Sequence, residues 1–178
     1  MRYCLGSAGS KMVHGLAIST ILGGTMAGQI ARAAATLERS PYGTTQAGQA
    51  VDIYTMTNDH GLRVRFLSYG GVITGIVVPD RTGRLDNIVL GLKTLREYET
   101  ISAHYGAITG RYANRIAGAQ FTLNGQTYHL IANNGANSLH GGPNALDKQI
   151  WDVTPAQVQN GVAATLLYVS KEIGRAHV

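Results

Sequence analysis

"AQFTLNGQTYHLIA", residues 119–132, decides the fold class. Asn124-Gly125 stands between two short β-prone runs, and both residue types tolerate the positive φ angles that a two-residue type I′ hairpin requires. So tight a reversal commits its flanks to antiparallel pairing. Upstream, "GLRVRFLSYGG" (61–71) alternates Leu62, Val64 and Phe66 with Arg63 and Arg65, which puts apolar side chains on one face and guanidiniums on the other, as in a half-buried antiparallel strand. "GVITGIVVPDRTGRLDNIVLGL" (71–92) holds two β-branched runs separated by Pro79, Asp80 and Gly83, residues suited to a turn. Downstream, "GVAATLLYVS" (161–170) reads as a last strand. Only "LKTLREYE" (92–99) has helical character, and no internal repeat interrupts the pattern. The periodicity predicts an all-β protein, an antiparallel β-sandwich or a large antiparallel sheet assembly.

The chain has 178 residues, 44% of them hydrophobic, enough for one domain with a core of its own. Of its formal net charge of +5, all but one unit resides at the two ends. Arg2, Lys11 and Arg32 stand in residues 1–35 without an acid, and Arg175 lies in the last six residues, so the body between is close to neutral. It carries no stripe of Lys and Arg interleaved with aromatics, which argues against nucleic acid as a partner. Residues 1–35 read as a signal peptide. Arg2 and Lys11 give a positive start, "MVHGLAISTILGGTMAGQIA" is small and apolar, and "ARAAA" offers small residues for cleavage, so a periplasmic or secreted location is expected. The apolar run is too diluted for a membrane span. Cys4, the single cysteine, lies in that leader, so the body has neither a disulfide nor a cysteine-ligated metal site. Residues 36–50, polar and punctuated by Pro41, Gly43 and Gly48, read as a linker, with order expected to begin near Val51. The tail "IGRAHV" (173–178) reads as translated sequencing adapter, and the natural frame is expected to continue past Lys171.

Two clusters could carry chemistry. "GAITGRYANRIAG" (106–118) sets Arg111, Asn114 and Arg115 among small and apolar residues. Guanidinium and carboxamide groups offer planar sets of donors that suit hydroxyl or carboxylate oxygens. In a strand, Arg111 and Arg115 would share a face and Asn114 would point to the other, unless a turn intervenes. A solvated edge charge, or a pair with an acid such as Asp86, is the plainer reading of either arginine. "NNGANSLHGGP" (133–143) places His140 on backbone made permissive by Gly141 and Gly142. An imidazole there can donate or accept a proton near neutral pH, although a lone histidine is more often a structural hydrogen-bonder. His104, before Tyr105-Gly106, suits a rim loop; His129, inside the hairpin, suits a solvent-facing or cross-strand position. No phosphate loop, nucleophile elbow, HExxH or dinucleotide fingerprint is present, which disfavours hydride and phosphoryl transfer.

Taken together, "LSYGGVITGIVVPDRTGRLDNIVLGL", "HYGAITGRYANRIAGAQFTLNGQTYHLIANNGANSLHGG" and "WDV" resemble the aldose 1-epimerases, the galactose mutarotases, over about Tyr54 to Lys171. The resemblance implies a mutarotase-like β-supersandwich, here incomplete, with 51–172 as the N-terminal part of the domain. It implies interconversion of the α and β anomers of a free hexose by acid and base catalysis, without a cofactor. A carboxylate would take the C1 hydroxyl proton while a histidine protonates the ring oxygen. By the same resemblance Asn114 and Arg115 bind sugar oxygens, and His140 binds beside the ring oxygen as a catalytic and substrate-binding residue. The family's second histidine, in an H-x-Y-F-N-L type segment, its sugar-binding aspartate and its base glutamate match no segment of this chain. The 178 residues expressed alone are therefore expected to be inactive and poorly folded. Alternatives are a non-catalytic carbohydrate-binding module on the same scaffold, or an epimerase of phosphorylated hexoses with an added cationic site. Preference between glucose and galactose, and oligomeric state, are left open.

Overall fold

The computed structural model describes residues 34–101, 104–159 and 161–170, together with the backbone pairing of Arg2–Leu5. Most of the expected leader, and all of the tail 173–178, lie outside the described residues. The first strand, β1 (Arg2–Leu5), is followed by β2 (Thr36–Thr44), β3 (Ala50–Thr57), β4 (Arg63–Leu67), β5 (Ile73–Pro79) and β6 (Leu85–Asn87). A short helix, α1 (Leu95–Thr100), precedes β7 (Arg115–Ile116), β8 (Gln120–Leu123), β9 (Gln126–His129), β10 (Ser138–Leu139), β11 (Asp152–Val158) and β12 (Gly161–Leu167). The protein is all-β, and every strand pairing is antiparallel.

Strands β2 to β6 form one sheet in chain order, and β12 is the centre of another between β1 and β11. The alternation of β3 and β4 explains how the first sheet is covered twice. Tyr54, Met56 and Phe66 point to one side and join Val162, Ala164 and Leu166 of β12, with Leu146 and Trp151, in one buried cluster. Tyr54 and Phe66 stack there at 5.2 Å. Val51, Leu67, Tyr69 and Val72 belong to a second cluster closed by Leu95 and Tyr98 of α1. Phe66 and Leu67 are consecutive and both 0% exposed, so β4 is buried on both faces at its C-terminal end, while Arg65 before them is exposed. The helix forms where expected. Thr94 Oγ1 accepts from Glu97 N at 3.2 Å while Glu97 Oε2 accepts from Thr94 N at 2.9 Å, a capping box that starts the helix.

The sequence expectation of a linker over 36–50 is overturned. Thr36–Thr44 pairs with β3 from Thr36 opposite Thr57 to Thr44 opposite Ala50, with a bulge between Pro41 and Gly43. Its polar, proline-bearing composition is that of an edge strand whose outer side meets solvent, and such an edge tolerates a residue without an N–H. Leu37 packs against the first cluster and Tyr42 against the second. The second run of 71–92 also departs from expectation, because pairing with β5 ends at Asn87. Asn87 Oδ1 accepts from Ile76 N at 2.9 Å in place of a backbone carbonyl while Ile88 N donates to Ile76 O at 2.9 Å, and the side chains of Ile88 and Leu90 are exposed.

The hairpin forms as read: Gln120 to Leu123 pair with Gln126 to His129, and Asn124 (φ 51°) and Gly125 (φ 79°) take the two positive angles of the turn. A Cβ on Gly125 would meet nothing within 4 Å, so only backbone strain opposes a side chain there. Gly125→Ala should therefore cost about 1 kcal/mol and lower the melting temperature by about 2–4 °C. An unchanged melt by circular dichroism would contradict the turn assignment.

Candidate active site

The site grows from two strands of two residues each. Arg115 lies opposite Leu139, and Ile116 opposite Ser138. So short a ladder needs help, and side-chain amides of "NNGANSL" supply it. Asn133 Oδ1 accepts from Leu139 N at 2.7 Å while its Nδ2 donates to Leu139 O at 3.0 Å. Asn137 Oδ1 accepts from Gly118 N at 3.1 Å. Asn134 Oδ1 accepts from Arg115 Nε at 2.8 Å, which aims the guanidinium, and Arg115 Nη1 reaches Asn114 Oδ1 at 3.3 Å.

His140 is locked to Asn114 twice. Its N–H donates to Asn114 O at 2.9 Å, and its ring Nδ1 accepts from Asn114 N at 3.0 Å. A backbone N–H can only donate, so Nδ1 must keep its lone pair and the neutral ring carries its hydrogen on Nε2. Burial lowers the His140 pKa from the ordinary imidazole value; neighbouring His104 and Arg115 push the same way and Asp147 opposes them. At neutral pH His140 is an uncharged donor through Nε2.

The backbone needed for this is left-handed. Asn114 (φ 64°) and His140 (φ 54°) take angles uncommon outside glycine, followed by Gly141 (φ 94°) and Gly142 (φ 88°). Gly141 also answers a close approach, since a Cβ there would lie 2.2 Å from Gly110 O. The glycines after His140 thus let its loop press against the Gly110–Arg111 backbone.

Asn114, Arg115 and His140 are brought together as expected. Arg111 is not part of that group; it carries its Nη2 to Ser170 Oγ. The stretch between the two arginines bends, so the strand geometry that would have placed them on one face holds only at Arg115–Ile116. Asp86 pairs with Arg84 rather than with either of them. His129 is exposed on the hairpin. His104 has a larger place than the sequence suggested. Its ring lies 4.7 Å from that of His140, and its Nδ1 is 3.0 Å from Oδ2 of the buried Asp147. Neither Asp147 nor Asn134 was a candidate from the sequence. Asp147 is 43 positions from His104, and no local spacing announces their contact.

Among the described residues no group of three His, Cys, Asp or Glu side chains could hold a metal ion, and no helix is long and apolar enough to cross a membrane.

Comparison with known proteins finds the same antiparallel β scaffold. The model of the aldose 1-epimerase family matches residues 52–175, and the chain belongs to that family. Galactose mutarotase from Sus scrofa is 43% identical over 128 residues, which are 71% of this chain and 36% of that protein. Aldose 1-epimerase from Escherichia coli K12 is 35% identical over 106 residues, 60% of this chain and 31% of that protein. The crystal structure of galactose 1-epimerase from Lactobacillus acidophilus superposes with a TM-score of 0.60 at 25% identity, covering 70% of this chain and 36% of that one. The chain therefore spans about a third of the length of the curated relatives it matches.

Proposed function

We propose that these residues form the sugar-orienting part of an aldose 1-epimerase site acting on free hexoses. The reciprocal clasp of His140 and Asn114, with Arg115 aimed beside it by Asn134, carries this reading. Arg115 and Asn114 present donors to hydroxyl oxygens, and His140 presents a neutral Nε2–H to the ring oxygen. As the C1–O5 bond opens, negative charge grows on the ring oxygen, and a donor already in place stabilises that charge more than it stabilises the ground state. Ring opening also requires a base to take the C1 hydroxyl proton and an acid to protonate the ring oxygen. On the resemblance, those groups are the second histidine and the late glutamate, which have no matching segment here. In this reading the 178 residues orient the sugar, and turnover depends on groups supplied from outside them.

The test is polarimetry of fresh α-D-galactose and α-D-glucose with the protein expressed from its full reading frame. Mutarotation above the buffer rate is expected. Arg115→Ala should lower kcat/KM about 10- to 100-fold through lost charge-assisted hydrogen bonds, and His140→Ala about 100-fold or more. Because His140 acts uncharged with a lowered pKa, the activity that depends on it should persist as pH falls to the ordinary imidazole value and decline only below it. A folded wild type without mutarotation, or variants as active as wild type, would defeat the reading.

A further inference from the structure

Asp147 has 3% of its side chain exposed, and the proposed sugar-orienting set does not use it. Its Oδ2 faces His104 Nδ1 at 3.0 Å, with Lys148 Nζ at 3.9 Å. That ammonium is fixed in turn by donating to Tyr98 O at 2.8 Å. An ionised carboxylate only accepts, so in the neutral His104 ring the hydrogen is held on Nδ1 and the lone pair is on Nε2. The two ring nitrogens lie on opposite sides of the imidazole. With Nδ1 tied to the interior, Nε2 is turned away from it, and the His104 side chain keeps 19% exposure.

Beside it the His140 ring, 4.7 Å away and tilted by 59°, is held in the opposite tautomer by Asn114. Two neighbouring imidazoles thus present different chemistry outward: His104 an acceptor at Nε2, His140 a donor at Nε2. His104 (φ 52°) and His140 (φ 54°) both stand on left-handed backbone, a costly conformation for a side-chain-bearing residue and one that collects at binding sites.

We propose that His104, oriented by Asp147, is a further ligand-binding and specificity-determining residue. It accepts a hydrogen bond from a hexose hydroxyl next to the oxygen that His140 contacts. This rests on the hexose reading above. The pair would select a sugar edge that offers a donor and an acceptor side by side, and would discriminate against the analogue lacking that hydroxyl, because the acceptor would then lose its partner.

The experiment is calorimetric titration of the protein from its full reading frame with D-galactose and its 2-, 3-, 4- and 6-deoxy forms, in wild type and in His104→Phe, which keeps an aromatic ring and removes both nitrogens. One deoxy sugar should bind wild type about five- to tenfold more weakly than galactose, the worth of a hydrogen bond, and that difference should vanish in His104→Phe. The same deoxy pattern in both proteins overturns the proposal while leaving the hexose reading intact. Absence of any galactose binding by folded wild type overturns both. Imidazole ¹⁵N spectra of wild type give a check that needs no variant. His104 should show an unprotonated Nε2 whose resonance moves when galactose is added, and a protonated or unresponsive Nε2 overturns the proposal.

Discussion

Gly141→Ala should disassemble the candidate site, destabilising the protein by about 2–4 kcal/mol. Two effects combine at this position. The backbone stands at φ 94°, closed to most side chains, and the added Cβ would lie 2.2 Å from Gly110 O, 2.6 Å from Gly110 C and 2.9 Å from Arg111 N. All three are backbone atoms, so no rotamer change can relieve the contact. The His140 loop would have to lift from the 110–114 segment, and the two hydrogen bonds between His140 and Asn114 would go with it. Gly142 supplies the control. It has a similar angle, φ 88°, but a Cβ there meets nothing within 4 Å, so Gly142→Ala should cost only the strain, about 1 kcal/mol. Urea denaturation of the two variants separates these contributions. Equal losses would mean that the approach of the loop to Gly110 is not what Gly141 serves.

Trp151→Ala should produce the largest loss of stability, about 3–5 kcal/mol from cavity formation alone. Trp151 is 1% exposed in the cluster that joins β3 and β4 to β12, and its ring lies 5.6 Å from that of Tyr168. Its Nε1 donates to Leu146 O at 3.1 Å, one residue before Asp147. Removing the indole therefore opens the core and frees the turn Leu146–Lys148, which carries the carboxylate facing His104. Trp151→Phe keeps most of the volume and gives up the N–H bond, for a cost of about 1–2 kcal/mol. The ordering of the two variants in chemical denaturation followed by circular dichroism checks the account, and a loss under about 1 kcal/mol for Trp151→Ala would refute it.

What could be read from the sequence follows the range of the interactions. The hairpin at Asn124-Gly125, the alternation in β4 and the capped helix depend on neighbours within a few positions, and each lies where the pattern put it. The composition of β2 matches that of a connection because an edge strand needs only one paired side and few core contacts, here Leu37 and Tyr42. β7 and β10 are too short for any periodicity; side-chain amides 19 and 6 positions away stabilise their surroundings. Asn114, Arg115 and His140 are nominated through motif resemblance, and the structure brings them together and shows which hydrogen bonds the asparagines supply. His104 and Asp147 meet only through tertiary folding, and neither flank carries a sign of the other.

The prolines of the outer strands have a consequence for how copies of this chain meet. β2 and β11 are the last strands of their sheets on one side, and they carry Pro41 and Pro155. A second chain docking edge to edge would seek a continuous row of N–H donors and find one missing within each strand. At β2 the bulge after Pro41 shifts the register as well, so each of these two edges is interrupted as a template for strand addition. The same residues that disguised β2 as a connection therefore hinder strand addition at that edge.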